Sequence, residues 1–237
     1  LVGKPNIIAD HGEARPAFKR LGRPPSYNAP MSLLKSASIV SLLTLASRIT
    51  GLVRELLIAS AFGASATTDA FNVAFRIPNL LRRLFAEGAF SQAFVPILAE
   101  SRTQRGDQAT HDLVNAVGTV LFAALSLTCV VGVVGAPVLV WLMASGLKES
   151  GGFDAAVVMT RWMFPYIGFM SLVALSAGIL NTWSRFAVPA VTPVLLNMST
   201  IGAALFLAPV FEQRGIEPVY ALAVGVMVGG MLQLGVQ

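Results

Sequence analysis

From residue 36 onward the chain alternates long apolar runs with short polar breaks. The length of those runs, not a two-residue alternation, sets its architecture. Residues 113–147, 162–184, 186–211 and 218–237 each proceed without a single Asp, Glu, Lys or Arg. Roughly 20 apolar residues cross the hydrocarbon core as a helix, so each run predicts a transmembrane helix. The run 113–147 is too long for one upright span and is expected to tilt or to continue past the bilayer near Pro137. Two more spans are expected in 36–61 and 70–99, although charges interrupt both. Arg48, Arg54 and Glu55 fall in the first, and Arg76, Arg82, Arg83 and Glu87 in the second. Pro78 and Gly88 bracket the middle of the second, which predicts a broken or kinked helix. The turn at 62–69 offers Thr68 or Asp69 as a cap for that helix. The pattern therefore predicts an all-α integral membrane bundle of six transmembrane helices.

Composition supports a lipid-embedded chain. Of 237 residues, 55% are hydrophobic and 12% are charged, about half the charged share of a soluble domain, and the mean hydropathy is +0.70. This excludes a disordered protein, a disulfide scaffold and a free nucleic-acid-binding domain. The single cysteine, Cys129, lies in an apolar run and reads as a small buried hydrophobe. Residues 1–30 differ from the rest: Pro5, Pro16, Pro24 and Pro25 are scattered through them and no apolar period is sustained. They are expected to form a disordered basic extension, and Met31 reads as a natural start. The chain stops at Gln237 with no polar tail, which suggests that 31–237 is a fragment.

Charge placement predicts orientation. With the N-terminus inside, the cytoplasmic segments carry Lys4, Arg15, Lys19, Arg20, Arg23, Lys35, Arg102, Arg105 and Arg185. The opposite loops carry Lys148 and Arg214, with Arg161 near a helix start. This asymmetry predicts a cytoplasmic N-terminus in a multi-pass protein of the cytoplasmic (inner) membrane.

Five arginines remain, in the first two spans: Arg48, Arg54, Arg76, Arg82 and Arg83. Each would cost about 2.5–3.5 kcal/mol facing lipid at a helix centre. They are expected to line a wet cavity, pair with acids, or reach an interface. Glu55, Asp69 and Glu87 are too few to neutralise them, so the balance is a net positive intramembrane site. Asp69, Arg76 and Arg83 repeat every seven residues, nearly one helix face, and Arg83 and Glu87 are spaced to pair. Arg48 and Arg54 lie about 120° apart around their helix, placed to flank a groove. A cationic cavity favours an anionic substrate, because guanidinium binds phosphate through a rigid fork. Gly225 and Gly229 form a GxxxG that permits close helix packing. The sequence contains no HExxH, CxxC or GxxxxGK[ST], and neither His11 nor His111 lies in an apolar span. No catalytic residue, metal site or cofactor is expected.

Residues 31–100 carry a specific motif set. It comprises Met31-Ser-Leu-Leu-Lys-Ser, Ser47-Arg48-Ile-Thr-Gly51-Leu-Val-Arg54 and Thr68-Asp69-Ala-Phe. The long stretch from Phe75-Arg76-Ile-Pro78-Asn79 through Arg82-Arg83 and Glu87-Gly88 to Pro96 follows. Phe164-Pro165-Tyr166 and Asn181-Thr-Trp183-Ser-Arg185-Phe extend the match. The chain resembles the MurJ (MviN) lipid II flippases of the multidrug/oligosaccharidyl-lipid/polysaccharide exporter superfamily, from Met31 to its end. The resemblance implies the N-terminal lobe of a fourteen-helix transporter, with the second lobe missing. Its expected partners are lipid II and membrane lipids, not nucleic acid, and it is expected to act as a monomer in peptidoglycan biosynthesis by alternating access. The resemblance also implies that Arg48, Arg54 and Arg82 face the substrate's pyrophosphate, with Asp69, Arg76, Arg83, Glu87 and Asn79 as supporting cavity residues. Arg76 stands where relatives carry lysine.

Two alternatives share the cationic cavity: a flippase for another polyprenyl-pyrophosphate-linked saccharide, and a membrane enzyme acting on polyprenyl phosphates. The enzyme would also need a nucleophile or an acidic metal cluster, and Asp69 and Glu87 are poorly spaced for one. A cation-coupled drug exporter conflicts with the sign of the cavity, and a scaffold leaves the arginines unexplained.

Overall fold

The apolar runs fold as helices throughout. The computed structural model describes the backbone of residues 29–82, 90–183 and 185–237, and the side chains of 37–80, 93–183 and 185–237. Among the described residues there is no strand. The helices are α1 (Ala29–Phe62), α2 (Ala66–Arg82), α3 (Phe90–Gln104), α4 (Gly106–Val134), α5 (Ala136–Ala144), α6 (Phe153–Met163), α7 (Tyr166–Thr182), α8 (Ala187–Gly202), α9 (Ala208–Gln213) and α10 (Tyr220–Val236). A 3₁₀ turn, Ser145–Lys148, follows α5, and a π segment, Ala203–Leu207, joins α8 to α9.

Most interruptions follow from local chemistry. The 113–147 run divides at Gly135, after which Pro137 opens α5. α6 leads into α7 through Phe164-Pro165, where proline withholds a backbone donor. Among the described residues, three stretches are long and apolar enough to cross a membrane: Gly106–Val134, Phe153–Thr182 and Ala187–Gln213. The expected span at 218–237 is the apolar but shorter α10, of 17 residues.

Two expectations need correction, the cap of α2 and the place of Arg161. Ser65, not Thr68 or Asp69, caps α2: its Oγ accepts from the Thr68 amide at 3.2 Å, which satisfies one of the orphan donors of the first turn. Asp69 lies within that first turn, where its charge suits the helix dipole. Helix α2 runs through Pro78 to Arg82 and α3 begins at Phe90; the expected interruption between Pro78 and Gly88 is not tested, because 83–89 lie outside the described residues. Arg161 sits in the last turn of α6, not near a helix start.

Helix α10 occupies the centre, packing on α8, α7 and α6; α1 lies against α8, α2 against α6, and α4 against α3 and α7. The expected GxxxG contact is present. A Cβ on Gly225 would sit 2.7 Å from the Ala203 Cβ, and one on Gly229 would sit 2.8 Å from Leu196 Cδ1. Absent side chains are what let these backbones approach. The core gathers Ala70, Phe71, Ala74 and Ile77 of α2 with Met159, Met163, Tyr166, Ile167, Leu222 and Val226. By contrast α4 exposes Val120, Phe122, Leu127, Val130, Val131 and Val134, a surface suited to acyl chains.

Candidate functional site

Helix α1 carries three stripes. Ser47, Thr50, Arg54 and Leu57 are half-buried and Ile58 is buried, on the side that meets α8. Leu42, Leu45, Ile49, Leu52 and Leu56 form an exposed apolar stripe. Ser41, Thr44, Arg48 and Glu55 form an exposed polar one between them. At 100° per residue the three lie about 120° apart. A helix in lipid can present the second stripe to acyl chains. The third needs water or a charged ligand, because an exposed arginine within the hydrocarbon is costly.

Arg54 stands in the α8 seam, next in sequence to Glu55 of the polar stripe. Its side chain is 18% exposed, against 63% for Glu55, with which Nη2 forms an ion pair. Nη1 donates to Asn197 Oδ1 of α8 at 3.1 Å. The guanidinium also lies 5.9 Å from the ring centroid of Phe75 on α2, within cation–π range. Phe75 in turn stacks on Phe71 and meets Tyr166 of α7. Arg54 thus links α1, α2 and α8, although α1 and α2 pack on different helices.

The remaining expected residues divide. Arg48 and Arg76 are exposed, and among the described residues neither has an ion-pair partner. Asp69 is exposed one turn before Asn72, and Arg76 follows on the same face of α2, opposite the buried Ala70, Ala74 and Ile77. The shared face expected for Asp69 and Arg76 is therefore present. Arg82 ends α2, and its side chain lies outside the described residues, as do Arg83 and Glu87 and their expected pairing. Asn79 lines a cavity of about 490 Å³ between α2, α3, α7, α8 and α10, together with Tyr166, Asn181, Thr192 and Gln233. A second cavity, of about 710 Å³, lies between α1, α7 and α8 beside Ser41, Thr44, Ser47 and Asn181. Among the described residues both cavities are mostly apolar with a few uncharged polar groups, so the cations stand on open helix faces and in the α1–α8 seam instead. No group of three or more His, Cys, Asp or Glu is gathered around a possible metal position among the described residues.

Sequence reasoning missed Asn197, which no motif marks. It also read Arg102 only as a loop cation. Arg102 Nη1 donates to the Thr182 carbonyl at 2.6 Å, and its guanidinium covers the Trp183 ring at 4.5 Å. That closes the C-terminal end of α7 with a positive charge.

A family model described as lipid II flippase MurJ matches residues 58–237. The chain belongs to the MurJ family. Among its relatives is a lipid II flippase MurJ of Burkholderia cenocepacia, 59% identical over 208 residues. That match covers 87% of this chain and 40% of the relative. A probable lipid II flippase MurJ of Vibrio cholerae is 43% identical over 209 residues, covering 85% and 39%. A solved structure of lipid II flippase MurJ in an inward closed conformation superposes with a TM-score of 0.64 at 30% identity, covering 83% of this chain and 40% of that one. The MurJ-family chain therefore spans about two-fifths of the length of these relatives.

Proposed function

We propose that this chain forms the N-terminal lobe of a transporter that moves lipid II from the inner to the outer leaflet of the cytoplasmic membrane. It works by alternating access, as a monomer, with its N-terminus in the cytoplasm, and it transports without changing covalent bonds. The 59% identity to a lipid II flippase across 87% of the chain carries this reading. The geometry is compatible with it: Arg48 on α1 and Arg76 on α2 are exposed, and Arg54 is half-buried in the α1–α8 seam. Such a surface suits a pyrophosphate, which presents several oxygens to guanidinium forks. Arg48, Arg54 and Arg82 are proposed to contact that group, with Asp69, Arg76, Asn79, Arg83 and Glu87 shaping the surrounding field.

The test is complementation of flippase-depleted cells by the full-length gene carrying Arg48→Ala, Arg54→Ala or Arg82→Ala, with membrane abundance measured beside growth. Loss of growth at retained abundance is expected for Arg48→Ala. Full growth of all three variants at normal abundance would remove the arginines from the substrate site.

A further inference from the structure

Asn197 is buried on α8, and its amide makes three contacts with α1. Nδ2 donates to the Ser47 carbonyl at 3.0 Å and to Thr50 Oγ1 at 3.1 Å. Thr50 spends its own proton on the Ala46 carbonyl at 2.8 Å, so toward Asn197 it can only accept. Two acceptors on one side fix which end of the amide faces them, because only the NH2 can donate. Oδ1 must therefore point the other way, where Arg54 Nη1 donates to it. Gly51 faces the amide, and a Cβ there would lie 3.4 Å from Nδ2.

We propose that Asn197 is a positioning residue for Arg54, holding its guanidinium in one orientation toward a phosphate-bearing ligand without adding a carboxylate to the one Glu55 supplies. The proposal rests on the reading of Arg54 as a pyrophosphate contact. The chemistry of the partner is what matters. Glu55 already gives Arg54 one carboxylate, and an acidic residue at 197 would add a second, turning the local charge negative and repelling a phosphate. A neutral carbonyl orients the guanidinium without adding that charge. Guanidinium carries five N–H donors in a rigid fork, and Asn197 engages one and Glu55 another. Nε is buried without a partner, so the outward reach of the group falls to its Nη atoms. Their direction is set where Asn197 grips them. Phe75 limits the other side of the plane. Without the amide, Arg54 would keep its charge but sample several rotamers, and binding would bear the entropy of ordering them.

The experiment is a double-mutant cycle in the full-length protein in nanodiscs, with binding of a polyprenyl pyrophosphate as the readout and thermal stability measured in parallel. Arg54→Ala and Asn197→Ala are combined, and Asn197→Ser, whose hydroxyl is too short to reach Nη1, serves if the alanine variant fails to fold. Thr50→Val removes one seam contact without touching Arg54. The expected result is that Asn197→Ala weakens binding by roughly tenfold, the scale of a lost charge-assisted hydrogen bond. It should add nothing once Arg54 is alanine, and Thr50→Val should leave binding unchanged. Equal losses from Asn197→Ala in both backgrounds, or an equal loss from Thr50→Val, would mean that the amide only fastens α1 to α8, and the proposal falls while the role of Arg54 stands. Unchanged binding in Arg54→Ala alone would overturn the pyrophosphate reading itself, and the positioning role with it.

Discussion

Arg48 and Arg54 share a helix, a residue type and a match to the same family motif, yet they sit in different surroundings. Arg48 is open on the polar stripe, whereas Arg54 is half-buried and grips Asn197 and Glu55. From the sequence both read as cations in the body of one span, because spacing gives an angle around the helix and not the neighbour found there. The consequence for mutation differs. Arg48→Ala removes an exposed charge and should leave the melting temperature of the purified protein nearly unchanged. Arg54→Ala leaves Asn197 Oδ1 buried without a donor, a defect of about 1–3 kcal/mol. Its melting temperature should fall below that of Arg48→Ala. Equal melting temperatures would show that the Asn197 contact contributes no stability.

At the scale of elements, what was legible followed from composition along a single helix, and what was not depended on pairs of helices. Apolar run lengths located α4, α7, α8 and α10, and Gly225 and Gly229 announced a close contact without naming its partner. The partner is α8, through Leu196, Ser199 and Ala203. The division at Gly135 and the cap at Ser65 were displaced by a few residues from where the pattern put them, since apolar content says little about where a helix ends. The contact between α10 and α8 makes a sharp comparison. Gly229→Ala should lower the melting temperature, because overpacking a filled contact costs roughly 1–3 kcal/mol. Gly235→Ala, with nothing within 4 Å of the new methyl, should not. If the two substitutions behave alike, α8 and α10 are not in close contact.

For the whole molecule, two contacts group the loops by membrane side. Arg102 against Thr182 and Trp183 puts the turn after α3 beside the turn after α7, so the basic residues Arg102, Arg105 and Arg185 share one end. A Cβ on Gly152 would meet the Ala66 carbonyl at 2.6 Å, so the turn before α6 lies beside the turn before α2. These pairings agree with the sides that loop charge assigns from sequence, and the proposed orientation, by the positive-inside rule, has the first end in the cytoplasm. In a Cys129→Ser background, an impermeant thiol reagent added to intact cells should label Ala64→Cys and Ser150→Cys but spare Gln104→Cys. The reverse pattern would invert the orientation.

The arginines of α1 and α2 are proposed to contact the pyrophosphate of a lipid-linked substrate. The most direct measurement of that role is translocation of lipid II across proteoliposomes by the purified full-length protein, wild type against Arg48→Ala, Arg54→Ala and Arg82→Ala. The account predicts translocation by the wild type and its loss in each variant that still reconstitutes as a folded protein. Wild-type rates in all three would contradict it.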